Sequence, residues 1–158
     1  MSKMKIRANM KEGGLVSIVI VTHGDFGRAL LKSVEFILGK QKNVFTIGIK
    51  QDDNIEVLKA KLEKILERNK REGNETIVFV DLFGASPFNI TLSLLKNYDV
   101  KCLTGVNMPM LIQLLMSRES RENCDINKLT EEACKAGIEG IKELDISSLK
   151  LTKEGEIK

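Results

Sequence analysis

Apolar runs of branched residues alternate with helical stripes along this chain. The first run, Leu15-Val-Ser-Ile-Val-Ile-Val21, follows Gly13-Gly14 and is apolar at nearly every position. A strand with one wet face would alternate, so this run predicts a strand covered on both faces. Val44 to Ile49, Thr76 to Asp81 and Val100 to Thr104 repeat the signal. Between the runs the period changes. Leu30, Val34, Ile37 and Leu38 share one face of a helix predicted from about Gly27 to Leu38, with Gly39 closing it. Ile55, Leu58, Leu62, Ile65 and Leu66 form a second stripe among lysines and glutamates. Ahead of it Asp53 and Glu56 stand at capping-box spacing, with aspartate in place of the usual serine or threonine. Ser86 before Pro87 predicts a capped third helix. A fourth helix is expected from about Pro109 to Ser117 and a fifth from about Asn127 to Leu144.

Four strand–helix alternations with doubly covered strands predict an α/β fold. The expected architecture is an open, mainly parallel four-stranded sheet with helices on both faces. Right-handed crossovers bring the strand C-termini to one edge, where ligands of open sheets bind. No repeat or proline-rich linker divides the chain, so residues 15–145 read as one domain. Residues 1–14 read as a polar, flexible leader, and residues 146–158 as a C-terminal strand or tail, with Ile146 to Leu151 branched enough for a strand.

Composition narrows the functional classes. A chain of 158 residues supports one core, and 42% apolar with 30% charged residues is ordinary for a globular protein. Lys and Arg number 25 against 22 Asp and Glu, interspersed, so nucleic acid is not indicated as a partner. The first 14 residues lack a signal-peptide core, and Leu15 to Val21 is too short to span a bilayer, which places the chain in the cytoplasm. Cys102, Cys124 and Cys134 are odd in number and unevenly spaced. With one histidine in the chain, they predict inert thiols and no metal site. No cofactor motif is present: Gly24 and Gly27 do not reach dinucleotide-fingerprint spacing, and Met108, Met110 and Met116 among leucines read as packing or dimer surface.

Chemistry-bearing residues follow the strands. His23, the only histidine, follows the first run after Thr22, and Gly24 permits a sharp turn there. Alone it fits a ligand-facing ring and a structurally satisfied one equally well. Ser86 is by itself no more than a helix cap, although a helix start also offers N–H groups to a phosphate-sized anion. Together the two strand ends make a coherent site. If the first and third strands are neighbours, Asp81 reaches Nδ1 of His23, leaving Nε2 unprotonated and nucleophilic. Ser86 and the amides of Gly84, Ala85 and Ser86 would then hold phosphoryl oxygens, and phosphoryl transfer asks mainly for such positioning.

These residues carry a family resemblance. Ile-Val-Thr-His-Gly at 20–24, Asp-Leu-Phe-Gly-Ala-Ser-Pro-Phe-Asn at 81–89 and Thr-Gly-Val-Asn-Met-Pro-Met-Leu at 104–111 together resemble enzyme IIA of the mannose class of the bacterial sugar phosphotransferase system. The resemblance spans about Leu15 to Leu144. It implies a phosphohistidine at His23, oriented by Asp81 with Ser86 near the phosphoryl group. Thr22, Gly24, Asn107, Met108 and Pro109 would line the site. It also implies a histidine phosphocarrier protein as donor and a IIB component as acceptor, with a membrane IIC/IID complex served indirectly. A homodimer is implied, its sheet extended by an exchanged strand such as Ile146 to Leu151. Ala85 stands where a glycine is common, and Phe83 where some members have tryptophan.

Three other readings remain open from the residues. A receiver-type signalling domain would be phosphorylated on Asp81, but Thr22-His23-Gly24 stands where its acidic residues belong. The phosphoryl-transfer subunit of dihydroxyacetone kinase also uses a histidine after the first strand. A regulatory domain could keep the fold without turnover.

Overall fold

A computed structural model describes residues 15–119 and 125–144. In chain order the elements are β1 (Ser17–His23), α1 (Phe26–Leu38), β2 (Val44–Ile49), α2 (Ile55–Glu72), β3 (Thr76–Val80), α3 (Ser86–Leu95), β4 (Val100–Thr104), α4 (Met108–Glu119) and α5 (Ile126–Glu139). The strands form one sheet in the order β2-β1-β3-β4, and every pairing is parallel. The expected fold class is thus found. The leader 1–14, the stretch Ile146 to Leu151 and Cys124 lie outside the described residues.

The continuous apolar runs are explained by the two layers they feed. Successive strand residues face opposite ways. Ile18, Ile20, Ile77 and Phe79 therefore meet Leu30 and Val34 of α1, Leu111 and Leu114 of α4, and Leu129 of α5. Val19, Val21, Val78 and Val80 meet Leu58, Leu62 and Leu66 of α2 and Ile90 and Leu94 of α3. These eight apolar strand side chains are at most 1% exposed, and burying each is worth about 1.5–3 kcal/mol. Because these central strands are fixed from both sides, their C-terminal ends are the best-held points on the functional edge.

Polar ties fix the opposite edge. Asn69 donates through Nδ2 to Ser17 Oγ at 2.8 Å and Thr76 Oγ1 at 3.0 Å, joining the starts of β1 and β3. Arg118, 3% exposed, donates to the carbonyls of Val16 at 2.8 Å and Lys42 at 2.7 Å, joining α4 to the chain ahead of β1 and β2.

Several element boundaries differ from the sequence reading. β1 runs on to His23, because Ile49 gives it one more parallel partner. β3 stops at Val80, and the Asp81 carboxylate bonds sideways to β1 instead. Asn54, not Asp53, caps α2: its Oδ1 accepts the N–H groups of Glu56 and Val57 at 2.9 and 3.4 Å. Asp53 accepts from Lys50 N–H at 2.8 Å and closes the preceding turn. Ser86 is not the cap of α3. Gly84 turns the chain at φ +78°, the extended Ala85 takes the cap position, and its carbonyl accepts the Asn89 N–H at 2.9 Å. Ser86 is then the first helical residue, with Pro87 second. α4 starts at Met108 because Asn107 Oδ1 accepts the Met110 N–H at 3.0 Å. α1 starts at Phe26, and α5 ends at Glu139 ahead of Gly140, short of the expected Leu144.

Candidate functional site

β1 is the point where the connections change direction, with β2 on one side and β3 on the other. Crevices for ligands form at such points in open α/β sheets. His23 is the last residue of β1 and Asp81 the first after β3. Fifty-eight positions apart in sequence, they meet: His23 Nδ1 lies 2.9 Å from Asp81 Oδ2. The same oxygen accepts the His23 main-chain N–H at 2.8 Å. An ionised carboxylate only accepts hydrogen bonds. Nδ1 therefore carries the hydrogen, and the lone pair sits on Nε2. The imidazole is 48% exposed while the Asp81 side chain is 17% exposed. The ring faces solvent and its orienting group stands behind it. Asp81 Oδ1 is buried and has no hydrogen-bond partner among the described residues.

Gly24 ends β1 at φ +53°, and its N–H donates to Ile49 O at 2.8 Å. This turn depends on a residue that the sequence reading passed over. A Cβ on Gly48 of β2 would collide with the Gly24 carbonyl. An isolated glycine inside a strand is the available signal for such a close approach. Thr22, expected to line the site, is fully buried, and its Oγ1 accepts the Gly27 N–H at 2.8 Å. It fixes the first turn of α1. Gly27 has no room for a side chain there, since a Cβ would stand 2.9 Å from that oxygen.

Gly84, Ala85 and Ser86 sit together at the head of α3, in the loop that Asp81 begins. Gly84 O accepts from Asn89 Nδ2 at 3.3 Å, so a side chain of the helix holds its own entry turn. Ser86 is exposed and borders a cavity of about 240 Å³ between α2 and α3. The N–H groups of the first turn make this end positive. Asn107 takes a different part from the one expected. It caps α4 through Oδ1, and its Nδ2 donates to Gly137 O of α5 at 3.2 Å. Met108 packs on the core face shared with α5, and Gly140 is side-chain-free beside the Pro109 ring. Asn107 and the first two residues of α4 are tied to α5, and none of the three makes a hydrogen bond to His23 among the described residues.

The arrangement is a half-exposed imidazole whose Nδ1 is held by a carboxylate at the C-terminal edge of the sheet. Residues 17–133 match the family model described as PTS system fructose IIA component, EIIA-man. The chain belongs to this family. Relatives agree with the assignment. The mannose-specific EIIAB component of Escherichia coli K12 is 37% identical over 133 residues, covering 82% of this chain. The match spans only 39% of that protein's length. The fructose-specific EIIA component of Bacillus subtilis is 31% identical over 106 residues, 66% of this chain and 72% of its own. A crystal structure of phosphotransferase system component EIIA from Streptococcus agalactiae superposes with a TM-score of 0.73 at 30% identity, covering 84% of this chain and 98% of that one. This IIA-family chain has the four-stranded parallel sheet expected of it. No helix among its described residues is long and apolar enough to cross a membrane.

Proposed function

We propose that this chain takes a phosphoryl group from the histidine phosphocarrier protein onto Nε2 of His23 and passes it to a IIB component for sugar uptake. The chain would work in the cytoplasm as a homodimer, serving a membrane IIC/IID complex only through IIB. One observation carries the reading: Asp81 Oδ2 holds Nδ1 at 2.9 Å, so the exposed ring edge presents a lone pair. The Nε2 lone pair attacks phosphorus as the bond from phosphorus to the donor imidazole breaks. Positive charge growing on the His23 ring is balanced by Asp81. The first-turn N–H groups of α3 and Ser86 receive the phosphoryl oxygens. Transfer to IIB repeats the exchange in reverse order, and no cofactor takes part.

The receiver-type alternative is disfavoured by the carboxylate itself. Asp81 Oδ2 already accepts twice from His23 and Oδ1 is buried, so phosphorylation there would have to give up the bonds that hold His23. The test is labelling by radioactive phosphocarrier protein. One acid-labile, base-stable phosphoryl group per chain is expected, and none in His23→Ala. Normal labelling of His23→Ala would remove the proposal.

A further inference from the structure

The run Thr-Gly-Val-Asn-Met-Pro-Met-Leu at 104–111 is part of the family resemblance, yet its polar residue, Asn107, does not touch the imidazole. Its main chain reaches the site by another route. β3 and β4 pair as far as Val80 and Thr104. Gly105 then turns the chain, and the Val106 N–H donates to Val80 O at 3.1 Å. That carbonyl lies in the rigid peptide plane that joins Val80 to Asp81. Rotating the plane would swing the Asp81 carboxylate, whose Oδ2 holds the main-chain N–H of His23 and its Nδ1. Val106 is buried in the same core as Met110 and Leu111. The residue after it is held on two sides. Asn107 Oδ1 accepts the Met110 N–H at 3.0 Å, and Nδ2 donates to Gly137 O at 3.2 Å. α5 comes this close because two of its glycines leave room. A Cβ on Gly137 would collide with Met110, and one on Gly140 would stand 2.6 Å from Pro109 Cγ.

We propose that Asn107, through its tie to α5, is a positioning residue for phosphoryl transfer at His23, acting through Val106 and Asp81. The inference rests on the function proposed above and gives the third motif its part in it. Bound to α4 and α5 at once, Asn107 fixes the direction in which Val106 presents its N–H. That N–H fixes the Val80–Asp81 peptide, and the carboxylate then meets the ring where it keeps the hydrogen on Nδ1. Supports of this kind act at a distance: a misplacement of about 1 Å can cost about 10²-fold in rate.

The test separates positioning from stability. His23 is the only histidine, so nitrogen NMR of isotopically labelled histidine reads its two ring nitrogens without overlap. Asn107→Ala and Asn107→Ser in the full chain are compared with the parent by these shifts above the titration of the ring, by rate of labelling and by melting temperature. Serine keeps a capping oxygen but is too short to reach Gly137 O, so it tests the tie to α5 even if alanine unfolds the chain. Both variants should label about tenfold more slowly or worse. Their rings should move from hydrogen on Nδ1 alone towards a mixture of tautomers. Asp125→Ala removes the cap at the other end of α5, where Asp125 accepts the Asn127 N–H at 2.9 Å. It should lower the melting temperature and leave rate and tautomer as in the parent. Added to Asp81→Ala, which removes the group being positioned, Asn107→Ser should slow labelling no further. Parental rate and tautomer in folded Asn107→Ser overturn the proposal. So does an equal fall in rate in Asp125→Ala, or a further fall in the Asp81→Ala background. Failure of the parent itself to label would count against phosphoryl transfer, while the ring spectra would still decide whether Asn107 positions Asp81.

Discussion

Asp81 Oδ2 accepts two hydrogen bonds from one residue, the main-chain N–H of His23 at 2.8 Å and its ring at Nδ1, 2.9 Å away. Strand end and side chain are held by the same atom, so the orientation of the imidazole is tied to the register of β1 against β3. Asp81→Asn separates charge from geometry. The amide oxygen can accept both bonds, placing its NH₂ where the buried Oδ1 now sits, but the negative charge is gone. Labelling by the phosphocarrier protein should slow by about 10²-fold or more with little change in melting temperature. Asp81→Ala loses both bonds and should also cost about 1–3 kcal/mol in urea unfolding. Labelling of Asp81→Asn at the parental rate would show that the charge plays no part.

The α2 start gives a cheaper test of local structure. Asn54 Oδ1 takes two otherwise orphaned N–H groups, whereas Asp53 binds the Lys50 N–H in the turn before. Asn54→Ala should destabilise the chain by about 1 kcal/mol. Asp53→Ala removes a single exposed bond and should cost less. A larger loss at Asp53 would restore the capping-box reading.

That misassignment shows where sequence reasoning stops. The central strands were legible because double coverage leaves no polar alternation in Ile18 to Val21 or Ile77 to Val80, whereas β2 and β4 lie at the sheet edges and are largely part-buried, not doubly covered as expected. Both halves of the His23–Asp81 pair could be named because each stands within two residues of the end of such an apolar run. Caps were not legible to the residue. Asp53, Asn54 and Ser86 all have suitable side chains, and the choice is made by where Gly84 or the turn after β2 brings the backbone. Asn107 was associated with the site through the family motif, but its amide serves α4 and α5. Gly48 drew no notice because its role lies in the Gly24 carbonyl across the sheet. Pattern along one strand does not contain that distance.

Arg118 was likewise invisible in the sequence, where it reads as one more helix-surface cation. Burial pushes its guanidinium down to about 10, well above neutral pH, so it stays charged while bonding the Val16 and Lys42 carbonyls. Arg118→Ala leaves these groups without their donor and opens space between α4 and the sheet. A loss of about 3 kcal/mol is expected by urea unfolding. Arg118→Lys should recover only part of it, because one ammonium lacks the planar fork that spans two carbonyls. Full recovery by lysine would reduce the role of Arg118 to simple charge.

Glu75, just before β3, provides the pH test. Burial first, then Asp99 and Asp125, raise its carboxyl above the usual range. The folded chain therefore holds this proton more tightly than the unfolded chain does. Its stabilising contribution is complete below the unfolded value, roughly pH 4.3, and is lost as pH rises through the higher folded one. At pH 7 the charged group opposes folding, so Glu75→Gln should raise the melting temperature there. Near pH 4 and below the gap should close. The gain should be small, since Glu75 is exposed and water screens it. Asp99→Asn removes part of the same repulsion, so the two substitutions together should gain less than their sum. Asp125 is unsuited to the comparison because its carboxylate also caps α5 by accepting the Asn127 N–H at 2.9 Å. An advantage for Glu75→Gln that is equal at pH 4 and pH 7 would rule out like-charge repulsion and desolvation as its cause.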